Sequence, residues 1–346
     1  MIEVENKIRQ KDLEEIAKHE IIKQFRNKTV LVTGATGLIG SEIVLSLLCA
    51  NRLKNLNIKV IALIRNFEKA KEVFAKVLNN PNLNFIIQDI NEEISCNFDV
   101  DYIIHAASIT ASGEMIKNPS KCALTTLNGT KNILEFARKK EVESLCYLSS
   151  IEIYGTNTPI DVSEVDYGIL DSTNIRNSYS ISKKMAENLC ISYWKEFNLN
   201  TKVARLTQTF GAGISKNENR VFAQFARSII ENKDIILHTD GSSSKNYCYL
   251  TDAVTGIFKI LLDGQSGEAY NVANYETYIS IKDLAEFLCK EYKSSKVVYD
   301  IDDTRGYAQS INIKLISEKL ELLGWKAKVD LKEMFERLIN SLKEDM

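Results

Sequence analysis

Short apolar runs alternate with stretches of helical periodicity along most of the chain. The first such unit opens at Thr29 in TVLVTGATGLIG, where a strand, a tight turn and the start of a helix follow one another, and SEIVLSLLCANRL continues the helix. KVIALI (59–64) repeats the strand signal ahead of a helical stretch, EKAKEVFAKVL. Further strand-like runs lie at NFIIQDI (84–90), DYIIHAAS (101–108), SLCYLSS (144–150) and KVARLT (202–207). Helical NGTKNILEFARKK (128–140) and SKKMAENLCISYWKEF (182–197) separate several of them. Strands that read apolar throughout must be covered on both faces, so the pattern predicts an α/β fold with a doubly wound parallel sheet.

Both ends of the chain depart from this rhythm. Residues 3–27 are polar with apolar positions at Ile8, Leu13, Ile16, Ile21, Ile22 and Phe25, which predicts a charged amphipathic helix packed on the body. From about residue 212 the pattern loosens into helix-rich segments with short strands around 235–238 and 269–272, a smaller lobe over the carboxyl ends of the strands. Three prolines (81, 119 and 159) and no Ser/Gly-rich linker argue against independently tethered domains.

Gly34, Gly37 and Gly40 stand at G-x-x-G-x-x-G spacing directly after the strand VLVT and at the start of a helix. Glycine lets the turn close and lets backbone amides approach a pyrophosphate, while the helix N-terminus adds a positive dipole end. A dinucleotide is therefore expected against Gly34, Thr36, Gly37, Leu38, Ile39 and Gly40, with Ala106, Ala107 and Ser108 beside it. Asp89 and Ile90 are expected near the adenine. At the end of the second strand an acidic residue would mark NAD; Arg65 stands there instead and tilts the expectation towards NADP over NAD. The expected division is 1–27 as an N-terminal helical extension, 28–211 as a Rossmann dinucleotide-binding domain and 212–346 as mainly a substrate-binding lobe, which can return strands or helices to the Rossmann domain.

Composition narrows the field further. A formal net charge of −2 in 346 residues gives no bulk attraction for nucleic acid or an anionic membrane. No apolar run approaches a bilayer span, and the first 28 residues lack a signal-peptide pattern, so a cytoplasmic address is expected. Seven scattered cysteines without a C-x-x-C pair read as reduced core residues. With His19, His105 and His238 the only histidines, no metal is expected.

Tyr179 and Lys183 are spaced i, i+4 in YSISK and share a helix face. A neighbouring ammonium and an oxidised nicotinamide both favour phenolate, bringing a tyrosine towards proton-transfer duty, and the lysine can also bind the nicotinamide ribose. In LSSIEIYG (148–155), continued strand alternation would put Ser150, Glu152 and Tyr154 on one face and Ile151 and Ile153 on the other. Ser150 can then hydrogen-bond a hydroxyl undergoing oxidation, and Glu152 can reach a carbon beside it.

The order TGATGLIG, HAAS (105–108), LNGTKNILEFA, SSIEIYG, YSISK and LISEKLELLGWKAKVDLKEMFERL resembles the extended short-chain dehydrogenase/reductases, specifically the epimerase/dehydratase group acting on nucleotide sugars. The resemblance runs from about Lys28 to Leu342. It implies that Tyr179 takes the proton from a sugar 4-hydroxyl while hydride passes to the nicotinamide, that Ser150 polarises the hydroxyl and that Lys183 tunes Tyr179. It also implies a homodimer through a four-helix bundle formed by the helices near 128–140 and 180–197. Nucleotide-sugar contacts would come from the loop after RLTQTFG (205–211), from KNYCYLTD (245–252) and from Arg305. Gln208 stands where the family usually has asparagine, and Lys245 where it usually has arginine, so the base is left open; Thr126 also takes a place that is often asparagine.

The resemblance leaves the reaction to Glu152 and its neighbour. The 4,6-dehydratases carry an acid at the position of Ile151, whereas glucuronate decarboxylases keep the glutamate after a small polar residue. Epimerases acting beside the ketone need a proton-transfer group at the place of Glu152. The expected function is an NAD(P)-dependent nucleotide-sugar epimerase/dehydratase with Glu152 as a further acid/base. Decarboxylation of a nucleotide uronic acid is the close alternative. An NADP-dependent reductase of a small carbonyl substrate is a third, and a non-catalytic NADPH sensor, which would have no need of Ser150, Tyr179 and Lys183, a fourth.

Overall fold

The computed structural model describes residues 2–110, 112–293, 296–301 and 310–345. The N-terminal segment is not one helix. Helix α1 (Lys7–Lys18) is capped by Asn6 and ends at His19, whose ring nitrogen accepts the Ile21 amide and starts a 3-10 turn over Glu20–Phe25. The apolar positions read from the sequence still face inward: Leu13, Ile16, Ile22 and Phe25 are wholly buried.

The central layer then builds through β1 (Thr29–Thr33), α2 (Leu38–Lys54), β2 (Lys59–Ile64), α3 (Phe67–Val73), β3 (Leu83–Ile87) and β4 (Tyr102–His105). It continues with α4 (Ser112–Lys117), α5 (Pro119–Lys140), β5 (Ser144–Ser150), the short β6 (Asp161–Val162), α6 (Ser178–Phe197) and β7 (Thr201–Leu206). Beyond it come β8 (Gln208–Phe210), α7 (Val221–Ile230), β9 (Ile235–Leu237), β10 (Ser244–Lys245), β11 (Tyr247–Tyr249), α8 (Leu250–Asp263) and β12 (Ala269–Val272). The last elements are β13 (Ile279–Ser280), α9 (Ile281–Tyr292), β14 (Val297–Tyr299), β15 (Asn312–Leu315), α10 (Glu318–Glu321) and α11 (Leu331–Glu344).

Seven strands form one parallel sheet in the order β12-β7-β5-β4-β1-β2-β3. Successive residues feed opposite cores, as the strand period of two requires. Val30 and Val32 join the cluster under α1, α2 and α8, and Leu31 joins the one under α5 and α6. Chain order reverses between β1 and β4, which opens the ligand crevice at their carboxyl ends.

The strand at 269–272 is one that the C-terminal part returns to the Rossmann sheet: it is β12 and pairs with β7 at the sheet edge, with α8 packed beneath it. The smaller lobe has its own core of Phe210, Phe222, Phe225, Leu284, Phe335 and Leu338 among others. The helix expected over 68–78 ends early, at Val73, where Phe74 turns inward to sit wholly buried beside Phe85.

Candidate active site

The glycine turn is closed against the neighbouring strand. Gly34 has φ +62°, and a Cβ there would lie 2.8 Å from the Ala107 backbone; a Cβ on Gly40 would lie 2.3 Å from the Gly34 carbonyl. Only glycine permits both approaches. Gly37 caps α2 without a side chain, so none among the described residues claims the amides of its first turn. Thr36, Leu38 and Ile39 are half-buried around that turn.

A buried polar chain fixes the opposite wall. The Ala107 amide donates to Thr33 Oγ1 (3.1 Å), which lies 2.7 Å from His105 Nδ1. His105 Nε2 lies 3.2 Å from Thr130 Oγ1, which donates to the Thr126 carbonyl (2.7 Å). Because Thr33 already accepts and Thr130 already donates, the proton of the ring sits on Nε2. Burial, with Lys183 nearby, drives the His105 pKa down to about 3 and keeps the ring neutral. Thr126, a departure from the family pattern, thus ends a chain that holds Ala106 and Ala107. Ser108 Oγ is buried with no hydrogen-bond partner among the described residues. The close-approach turn, the uncapped helix start and this orphaned hydroxyl together fit a dinucleotide. At the rim, Arg65 is exposed beyond β2 and within electrostatic reach of Asp89, whose carboxyl is held below its ordinary range chiefly by the Asn91 amide. Ile90 is buried and would meet a Cβ on Gly129 at 3.0 Å.

The segment after β5 corrects the alternation drawn from the sequence. The strand stops at Ser150, whose hydroxyl accepts the Glu152 amide (3.2 Å) and caps a 3-10 turn over Ile151–Tyr154. Ser150, Glu152 and Tyr154 therefore do not share a face. Tyr154 is wholly buried, donating to Asn271 Oδ1 (2.6 Å) and accepting from Arg205 (3.0 Å), which also pairs with Glu187 on α6 (2.9 Å). Its role is to anchor the turn. Ile151 is buried and Glu152 is exposed to the cleft.

Tyr179 and Lys183 meet this turn from α6. The Ser150 hydroxyl faces the Tyr179 phenol closely enough to favour its charged form. Burial, reinforced by the Glu152 carboxylate, pushes Tyr179 above its ordinary range, while the Ser150 contact opposes this. Lys183 donates to the Leu148 carbonyl (2.7 Å) and lies over the Tyr147 ring, 4.7 Å from its centroid. Burial lowers its pKa to about 8. The cluster can take a proton from a hydroxyl held at Ser150, with Lys183 one helical turn on, its Nζ 5.9 Å from the Tyr179 ring centroid.

Of the residues expected to meet substrate, Gln208 opens β8 opposite Tyr247, and Lys245 is half-buried, its pKa lowered by burial against a partly compensating Glu152. Arg305 lies outside the described residues. Arg220, not singled out in the sequence, caps α7, donates to Glu218 (2.7 Å) and acts electrostatically on Tyr179. Its signal was an arginine directly ahead of the amphipathic VFAQFARSII.

Residues 30–273 match the model of the NAD dependent epimerase/dehydratase family. The chain belongs to that family. It is an NAD-dependent enzyme of the extended short-chain dehydrogenase/reductase type, as the strand order and glycine turn also indicate. UDP-glucuronic acid decarboxylase 6 of Arabidopsis thaliana is 27% identical over 310 residues, covering 89% of this chain and 86% of that protein. UDP-glucuronic acid decarboxylase 1 of Danio rerio is 25% identical, covering 98% and 79%. Among solved structures, an epimerase from Methanothermobacter thermautotrophicus superposes with a TM-score of 0.80 at 23% identity, covering 94% of this chain and 95% of that one. UDP-glucose 4-epimerase of Thermotoga maritima gives 0.78 at 21% identity, covering 92% and 99%. These last two likenesses are of fold. No helix among the described residues is long and apolar enough to cross a membrane.

Proposed function

We propose that the enzyme oxidises a nucleotide sugar at C4 and uses the ketone to release carbon dioxide from a UDP-hexuronic acid. The convergence of Ser150, Tyr179 and buried Lys183 at the carboxyl end of β5 carries the first part. NAD held against the Gly34–Gly40 turn and beside Ser108 would supply a reversible hydride acceptor for C4. Tyr179 takes the hydroxyl proton, Ser150 orients that hydroxyl, and Lys183 holds the phenolate. Oxidation makes the C6 carboxylate a β-keto acid, so the C5–C6 bond breaks, carbon dioxide leaves and the electron pair passes to an enolate on O4. C5 then takes a solvent proton relayed by Glu152, and Tyr179 returns its own to O4 as C4 is reduced. No net redox change results.

The relatives named as UDP-glucuronic acid decarboxylases raise this reading above the epimerase and dehydratase expectation. Ile151, apolar and buried, argues further against a dehydratase, which needs an acid there. Lys245 and Arg220 give the cleft two cations for a diphosphate or a carboxylate. Epimerisation at a carbon beside C4 is the second reading, supported by the Glu152 carboxylate close to Tyr179. We further infer a homodimer through α5 and α6, whose exposed Leu124 and Met185 suit a helix–helix interface. Mass spectrometry and proton NMR after incubation with UDP-glucuronic acid and UDP-glucose in deuterated water separate the readings. Loss of carbon dioxide with deuterium at C5 supports decarboxylation; unchanged carbon count with ring deuterium supports epimerisation.

A further inference from the structure

Arg9 and Asp12 lie three residues apart on one face of α1 and reach two different walls of the cleft. Arg9 Nε donates to Glu42 Oε2 (3.0 Å) and a terminal nitrogen donates to Ser41 Oγ (2.9 Å), both on α2 one turn beyond the glycine loop. The same guanidinium lies against Gly213, where φ is +88° and a Cβ would come within 2.7 Å of Arg9 Nε. Asp12 Oδ2 accepts the Tyr249 hydroxyl (2.7 Å), and that hydroxyl oxygen accepts the Ala212 amide (3.3 Å). Asp12 Oδ1 accepts from Arg337 on α11 (2.8 Å), which also pairs with Glu15 and Glu333.

Both contacts converge on the Gly211–Gly213 turn after β8. From there the chain runs through buried Ile214 to Arg220, which acts on Tyr179, and Tyr249 closes the β10–β11 segment that carries Lys245. Burial raises the Asp12 pKa to about 6 and that of Glu42 to about 7 despite their arginine partners, and Glu42 Oε1 is buried without a partner among the described residues. Packed apolar residues serve a purely structural purpose as well as or better than such buried ion pairs.

We propose that Arg9 and Asp12 are positioning residues: through Gly213 and Tyr249 they set the Gly211–Gly213 turn and thereby the reach of Arg220 and Lys245 towards substrate. The N-terminal extension is thus a brace that ties the cofactor helix to the substrate wall. What is bound there rests on the nucleotide-sugar reading; the brace itself does not.

The full-length chain is compared with Tyr249→Phe, which deletes only the bridging hydroxyl, and with Arg9→Lys and Arg9→Ala. Hydrogen–deuterium exchange is followed over residues 210–220, NADH binding by fluorescence and UDP binding by calorimetry. Tyr249→Phe and Arg9→Ala are expected to speed exchange in 210–220 and to weaken UDP about fivefold, the worth of one lost hydrogen bond, with NADH affinity unchanged. Arg9→Lys recovers part of the loss. Unchanged exchange in that segment overturns the proposal, as does a parallel fall in NADH affinity, UDP affinity and melting temperature, which marks a structural role alone. If the wild type binds NADH but neither UDP nor a nucleotide sugar, the substrate reading fails and the exchange data alone decide the brace.

Discussion

The Glu152 carboxylate, on the turn that follows β5, adds to burial in holding the Tyr179 phenol above its ordinary range. The residue that distinguishes the reaction thus also weighs on the base that begins it. Replacing it with a neutral isostere removes one of the two influences that raise the phenol and leaves the Ser150 contact that lowers it.

Glu152→Gln is therefore expected to lower the Tyr179 pKa. More phenolate is then present at a given pH, so the acid limb of the rate of bound-NAD reduction moves to lower pH. Overall product formation falls at the same time, because the second acid/base is gone. Stopped-flow reduction against pH, beside steady-state turnover, measures both; an unshifted limb with full turnover removes Glu152 from the mechanism.

Gly34→Ala sets a Cβ 2.8 Å from the Ala107 backbone at a φ of +62°. The strain is of order 1–3 kcal/mol and falls on the wall of the cofactor crevice. NADH affinity, read by fluorescence, is expected to drop at least about tenfold, as 1.4 kcal/mol of that strain would give.

Lys202, far from the cleft, donates to Ser144 Oγ (2.7 Å) and the Leu261 carbonyl (3.1 Å), and burial lowers its pKa from 10.5 to about 8. A lysine depressed in the folded state opposes folding while charged, fully below about pH 8, and this cost fades as pH rises towards 10.5. Ser144 Oγ keeps its own 2.7 Å bond to Leu261 when the ammonium is removed. Lys202→Met is expected to be as stable as the wild type or more so at pH 7, with the advantage shrinking between pH 8 and 10.5 in denaturant titrations.

Arg65 is the residue through which the chain would favour NADP. Arg65→Ala is expected to weaken NADPH more than NADH; equal affinities in wild type and variant leave NAD as the cofactor without a 2′-phosphate site.

Local spacing made much of this molecule readable. The strands, the glycine turn and the Tyr179–Lys183 pair depend on periods of two and of three to four residues, which the sequence displays directly. Alternation failed at Ile151 because a hydroxyl on Ser150 captured the Glu152 amide and converted strand to turn. It also gave no warning that Tyr154 would be spent on Arg205 and Asn271. The placement of β12 beside β7, and the Asp12–Tyr249 contact across 237 residues, are set by long-range packing that no local pattern records. Arg220 was hidden for the same reason: its link to Tyr179 exists only once the smaller lobe is packed against the Rossmann sheet.

Transient oxidation at C4 is tested by a single turnover with UDP-glucuronic acid deuterated at C4. Reduced-nicotinamide absorbance is expected to rise transiently, slowed by the deuterium and absent in Tyr179→Phe, with the label recovered at C4 of the product. Product formed without nicotinamide reduction, without slowing by deuterium, or with the C4 label lost to water would contradict it.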